Sequence, residues 1–252
     1  MCGGGIMIED LLIKLKMHGA LSALESLSKI ANKDQYLLGL LKAEEAHREN
    51  QASKRRLLLA KFPTDKEWTD INKDLNPSID FNALEKIGEH ELVTKRNNLC
   101  LMGKQGTGKT HSLIAIGRKL CRKGISTNFY TACGLINLLE EAKANNKLSR
   151  LMQNLMKPQV LIIDELGFIP FSENGARLLF DVFASRYERG SIAVSTNLSF
   201  EKWVQVFGSV ELTAALIDRF THKCLIYDFN GDSIRLREAK ERRKTRERKI
   251  LA

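Results

Sequence analysis

A short apolar run, Leu99-Cys100-Leu101-Met102, ends in a glycine-rich turn, and the turn opens an amphipathic helical stretch. From Gly103 the residues read Gly103-Lys104-Gln105-Gly106-Thr107-Gly108-Lys109-Thr110, the full pattern G-x-x-x-x-G-K-[ST], with His111 directly after it. Gly103, Gly106 and Gly108 allow the backbone to bend until successive N–H groups face phosphate oxygens. The helix that follows adds its positive N-terminal end at the same place. Lys109 then supplies a point charge to the β- and γ-phosphates of a nucleotide, and Thr110 a hydroxyl to Mg²⁺. Leu113, Ile116, Gly117 and Leu120 recur at helical spacing, and Gly124 is placed to stop that helix. A strand feeding a helix through such a turn constrains the chain to an α/β fold.

The alternation continues downstream. Strands are expected at Ser126–Tyr130, Val160–Ile163, Ser191–Ser195 and Cys224–Tyr227, with helices over about 134–144, 173–189 and up to about Phe220. Gly190 is placed as a helix stop. Strands separated by helices imply right-handed crossovers, hence a mostly parallel five-stranded sheet covered on both faces. Residues 8–62 instead read as helices only, two short ones interrupted at Gly19 and a longer one over Asp34–Lys61, ended by Pro63. The expected organisation is a helical N-terminal domain (1–62), a connector (63–97) carrying a short helix near Phe81, Leu84 and Ile87, and an α/β domain (98–252) with a basic tail. The connector leads directly into the glycine turn and is a candidate to lie against a bound base.

Val160-Leu161-Ile162-Ile163 reads as a buried central strand, and two acids follow it, Asp164 and Glu165. Open α/β sheets place ligands at the C-terminal ends of their strands. Asp164 is therefore the candidate to hold Mg²⁺, and Glu165 to orient and polarise a water for attack on the γ-phosphate. Asn197, in Ser195-Thr196-Asn197, ends the next strand and is the candidate to sense that phosphate or its water. Arg219, in Asp218-Arg219-Phe220, is a candidate finger for a neighbouring subunit's γ-phosphate, and Arg235 a similar cation in cis.

Forty Lys and Arg against thirty Asp and Glu leave a net charge of +10, which favours a polyanionic partner. The triplet Lys54-Arg55-Arg56 concentrates part of that charge. Five scattered cysteines show no zinc-ligand spacing, consistent with a reducing cytoplasm. No apolar run approaches the roughly 20 residues that span a bilayer, so no membrane role is expected.

Several of these segments together resemble a known family. Gly103–His111, Val160–Pro170, Arg186–Gly190, Ser195–Asn197, Phe200–Trp203, Val206–Gly208, Asp218–Phe220 and Gly231–Arg235 are similar to IstB-like transposition helper ATPases. Those are AAA+ proteins of bacterial insertion sequences, related to DnaC-type helicase loaders. The likeness extends to the N-terminal segments Leu15–Gly19 and Ala43–Ala46. By that resemblance Gly103–Thr110 is Walker A, Asp164 and Glu165 are Walker B, Asn197 is sensor 1, Arg219 the arginine finger and Arg235 sensor 2. Lys104-Gln105 stand where the family often has two prolines.

The resemblance also implies an extra helical element after the second strand, which Ala142–Lys157 fits, with Lys143, Lys147, Arg150 and Lys157 as DNA phosphate contacts. It implies ATP and Mg²⁺ as ligands and an ATP-dependent homo-oligomer on double-stranded DNA that recruits or stimulates a transposase. The place is the bacterial cytoplasm, on the nucleoid when DNA is bound. The alternative within the same fold is a loader of the replicative helicase.

Overall fold

A computed structural model of the chain describes residues 7–87, 92–231, 233, 234, 237 and 243. The chain divides into two compact units between Arg55 and Arg56, rather than at residue 62. Arg235 and most of the basic tail lie outside the described residues.

The first unit holds α1 (Ile8–Lys14), α2 (His18–Leu27) and the larger part of α3 (Lys33–Ala60). The break between the first two helices falls at 15–17, where Lys16 is left-handed at φ 55°, and not at Gly19. Gly19 lies inside α2 for a packing reason. A Cβ there would sit 2.5 Å from the Ala43 carbonyl oxygen and 2.8 Å from the Cα of Glu44. This close approach lets the buried Glu44 carboxylate accept the Gly19 and Ala20 amides at 2.8 and 3.3 Å. The N-cap residue Met17 caps nothing with its side chain, so an acid on α3 does that work for α2.

The second unit begins with the end of α3 and the connector. Two 3-10 turns, Trp68–Asp70 and Lys73–Leu75, precede α4 (Phe81–Lys86) and the single turn α5 (Leu92–Thr94). Asp80 caps α4 through the Asn82 and Ala83 amides. Then come β1 (Asn98–Gly103), α6 (Lys109–Arg122), β2 (Thr127–Thr131), α7 (Ala132–Ala144), α8 (Leu148–Met156), β3 (Val160–Leu166), α9 (Glu173–Arg186) and β4 (Ser191–Thr196). The 3-10 turn Phe200–Trp203, α10 (Val204–Phe207), α11 (Val210–Thr221) and β5 (Cys224–Phe229) complete the described elements.

The five strands form one sheet in the order β2-β3-β4-β1-β5, and every pair is parallel. Alternate strand residues point to opposite faces. Leu99, Leu101, Val160 and Ile162 pack with α4 and α6 on one face. Cys100, Leu161, Ile163 and Val194 pack with α7, α9 and α11 on the other. The near-continuous apolar runs of β1 and β3 are thus those of strands covered on both sides, giving the expected three layers.

Two local expectations change. The helix expected over 173–189 ends at Arg186, and Gly190 does not terminate it. Gly190 is instead required because a Cβ there would stand 2.5 Å from Nη2 of the buried Arg186. That guanidinium donates to the carbonyls of Leu155, Pro158, Gln159 and Ser191, which ties the end of α8 to the starts of β3 and β4. Its burial lowers its pKa to about 10. The segment 142–157 comprises the end of α7, a turn at Asn146 (φ 55°) and α8.

Candidate functional site

The glycine turn leaves the C-terminal end of β1, the strand between β4 and β5. Gly103, Gly106 and Gly108 have φ of 137°, 79° and 100°, all in the region open to glycine. At Gly103 a Cβ would also collide with the Phe229 carbonyl oxygen, 2.2 Å away. Thr107 closes the turn on itself, its hydroxyl donating to the Lys104 carbonyl at 2.8 Å. Lys109 folds back across the turn, its ammonium donating to the Gly103 and Lys104 carbonyls at 2.6 Å each. Lys104 and Gln105 are exposed at the tip. His111 Nε2 lies 3.0 Å from the Glu67 carbonyl of the connector.

Strand β3 brings Asp164 to this loop. The Thr110 hydroxyl donates to Asp164 Oδ1 at 3.0 Å, so the residues expected to share Mg²⁺ already touch. Asp164 is 3% exposed, and burial raises its pKa although Ser195, Thr110, the Glu165 amide and Lys109 all pull the other way. The donor set, a hydroxyl beside a carboxylate, is of the hard oxygen kind that suits Mg²⁺.

Glu165 is placed by a bulge. Between the pairs Ile163–Val194 and Leu166–Thr196, β3 has two residues where β4 has only Ser195. Ser195 serves both: its hydroxyl donates to Asp164 Oδ1 and accepts the Glu165 amide at 3.0 Å. Glu165 takes a left-handed φ of 59° and its side chain is exposed, while Asp164 and Leu166 on either side are buried. Asn197 follows β4 one residue past the Thr196–Met102 pair, exposed at the same end of the sheet.

A cleft of about 650 Å³ lies beside the loop, within the range of small-molecule sites. Gly106–Ser112 form one wall, and the connector forms another through Pro63, Thr64, Asp70, Ile71, Asn72 and Asn76. Asn76 is 2% exposed and bonds at both ends of its amide, to the Thr107 carbonyl (2.8 Å) and from the Gly231 amide (3.0 Å). The segment after β5 returns over the turn, where the Ile234 amide donates to the Gly106 carbonyl at 2.9 Å. The roles of Ser195 and Asn76 were not expected from the sequence, and the 70–72 wall was covered only by the general expectation for the connector. The connector's place before the glycine turn was the one signal for its position.

Arg219 lies far from this cleft. It sits in the last turn of α11, just before β5 begins, and hence at the N-terminal edge of a sheet whose C-terminal edge carries the loop. Its guanidinium stands over the Phe180 ring at 5.4 Å and donates to the Ala215 carbonyl, beside a small pocket shared with Arg96 and Lys223. Of the basic candidates, Lys54, Arg55, Lys147, Arg150 and Lys157 are exposed. Arg56 donates to the Cys121 carbonyl at 2.7 Å, and Lys143 is engaged by Asn174. Among the described residues no helix is long and apolar enough to cross a membrane.

A family model described as IstB-like ATP binding protein matches residues 10–242. The chain belongs to that family. An ATP-binding protein of insertion sequence IS5376 from Geobacillus stearothermophilus is 34% identical over 81% of this chain and 81% of its own length. The corresponding IS21 protein of Pseudomonas aeruginosa is 33% identical over 93% and 90%. Among solved structures, the DnaC helicase loader matches 69% of this chain and 98% of its own, with TM-score 0.54 and 19% identity. The replication initiator DnaA bound to AMPPCP and single-stranded DNA matches 73% of this chain and 56% of its own, with TM-score 0.59 and 19% identity. The fold of this IstB-like chain is therefore the AAA+ P-loop α/β fold, with Asp164 of β3 meeting Thr110 at the end of the glycine turn.

Proposed function

We propose that this chain is an ATPase of an insertion sequence, which binds ATP and Mg²⁺ in the cleft beside Gly103–Thr110 and hydrolyses ATP to ADP and phosphate. The reading is carried by one observation: Thr110 touches Asp164 at 3.0 Å while the adjoining bulge turns Glu165 out of the sheet toward the same edge. Asp164 and Thr110 would hold the metal, which when bound supplies positive charge to the phosphates. Lys109 exchanges its two carbonyl partners for phosphate oxygens. Glu165 accepts a proton from the attacking water, and Asn197 orients that water or the γ-phosphate.

Arg219 serves a neighbouring copy. Its position at the opposite edge of the sheet puts it out of reach of its own cleft, so a complete site needs two chains. The exposed bases Lys54, Arg55, Lys147 and Arg150 then contact duplex phosphates, and the ATP-bound assembly on DNA recruits or stimulates a transposase. Mg²⁺-ATP turnover is the test, measured for the parent, Lys109→Ala and Glu165→Gln with and without duplex DNA. The parent is expected to turn over ATP, Lys109→Ala to lose ATP affinity, and Glu165→Gln to bind ATP with turnover reduced about 10²–10⁴-fold. Equal turnover in Glu165→Gln and the parent removes the assigned base. A preference for single-stranded over duplex DNA of equal length would favour the helicase-loader role.

A further inference from the structure

We infer that Asn76 is a positioning residue of the nucleotide site, fixing the peptide plane between Thr107 and Gly108 in the phosphate loop; this rests on the nucleotide reading above. In a trans peptide the C=O and the N–H of one plane point in opposite directions. Asn76 Nδ2 holds the Thr107 carbonyl at 2.8 Å, so the Gly108 N–H points away from Asn76. Neighbouring planes are held in the same manner. The Gly106 carbonyl takes the Ile234 amide at 2.9 Å, and the Lys104 carbonyl takes the Thr107 hydroxyl at 2.8 Å. Holding carbonyls on one side is how a loop presents its N–H groups on the other, which anion binding requires.

Lys109 also holds the Lys104 carbonyl, together with that of Gly103, but its charge is the group a phosphate draws away. Asn76 remains in place when that happens. Its other end accepts the Gly231 amide at 3.0 Å, so one side chain fastens the loop to the segment that carries Ile234. A donor and an acceptor are both needed at this point, and an amide side chain has both. At 2% exposure water cannot replace either bond.

The decisive variant is Asn76→Asp, whose carboxylate still accepts from Gly231 but faces the Thr107 carbonyl with a second acceptor. Dissociation constants are measured for ATP, ADP and adenosine by calorimetry, with circular dichroism and the thermal midpoint as checks on folding. ATP and ADP are expected to bind about tenfold more weakly, with adenosine unchanged, because adenosine makes no use of the loop's N–H groups. Lowering the pH from about 8 to about 5.5 should recover much of the lost ATP affinity, since a protonated carboxyl donates again and a buried one protonates early. Equal ATP affinity in variant and parent overturns the proposal. So does an equal loss for adenosine, which marks a general packing role. Should Asn76→Asp fail to fold, Asn76→Ala carries the same three-ligand comparison without a buried charge. A parent chain that binds no ATP overturns the nucleotide reading itself, a result separate from either outcome for Asn76.

Discussion

Glu165 holds a left-handed backbone, φ 59°, that costs a side chain about 1 kcal/mol relative to glycine. The conformation follows from the bulge, and the bulge from Ser195 facing two residues at once. Stability and chemistry are thus opposed at one position. Glu165→Gly should unfold within about 1 kcal/mol of the parent, the relieved strain offsetting the freer unfolded chain, while ATP turnover is lost. Thermal unfolding beside a turnover assay checks both halves. Ser195→Ala should do the reverse in proportion. It leaves Asp164 short of a buried donor, which should lower stability by about 1–3 kcal/mol, and it loosens the bulge, which should lower kcat more than it raises KM. The sequence placed Ser195 in the strand-end motif Ser195-Thr196-Asn197 but gave no sign of this role. A hydroxyl at the end of an apolar strand has no periodic signature, and its role depends on a partner strand's register. Asp164 and Glu165 were legible because two acids after four apolar residues break a pattern.

At the scale of elements, strands and helices on either side of the glycine turn were readable from the change of period, and Gly124 marked the end of α6, whereas the end of α9 was not readable. Strand β3 runs on to Leu166 because Leu166 pairs with Thr196 beyond the bulge. The wall of the cleft was the least legible part. It is built of 3-10 turns between Trp68 and Leu75, which have no hydrophobic period. Trp68 and Ile71 pack that wall on the core, and an ion-pair cluster adds to the hold. Glu67 meets Arg122 and Arg118 of α6, and Arg118 also reaches Asp65. The bond from Arg122, supported by Arg118, depresses the Glu67 carboxyl from 4.5 to about 2. A depressed folded-state pKa stabilises the protein above the unfolded value and ceases to do so as the pH falls. The clamp should therefore hold fully above pH 4.5 and weaken progressively toward pH 2. Acid titration followed by tryptophan fluorescence reads this through Trp68, and Glu67→Gln should remove that part of the pH dependence. In the first unit, Gly19→Ala should destabilise α2 against α3 by about 1–3 kcal/mol, because the atoms in the way are the Ala43 and Glu44 backbone and the His47 Cβ, none of which can swing aside. Loss of helical signal at a lower temperature than in the parent is the expected result.

For the whole molecule, the separation of Arg219 from the cleft sets the test. On the proposed sharing, Arg219→Ala and Glu165→Gln each lack a different half of the site, so mixing them should partly restore turnover, to a degree that depends on the ratio. No recovery at any ratio, with assembly confirmed by light scattering, argues against a finger acting across chains. On DNA, each phosphate neutralised should add about −0.9 to the slope of log K against log salt. Reversing Lys147 and Arg150 to Glu should lower both affinity and slope.

The parallel sheet has a further consequence when many chains join. Its two edges differ in kind, one bearing the cleft and the other Arg219, so if Arg219 serves a neighbour's cleft, as proposed above, copies must meet head to tail. Such growth has polarity and no built-in end. An open assembly always leaves one cleft unserved at its terminus and one arginine unused at the other, and so contains one fewer complete site than it has chains. Only closure into a ring removes that deficit, so turnover per chain becomes a measure of whether the assembly has closed.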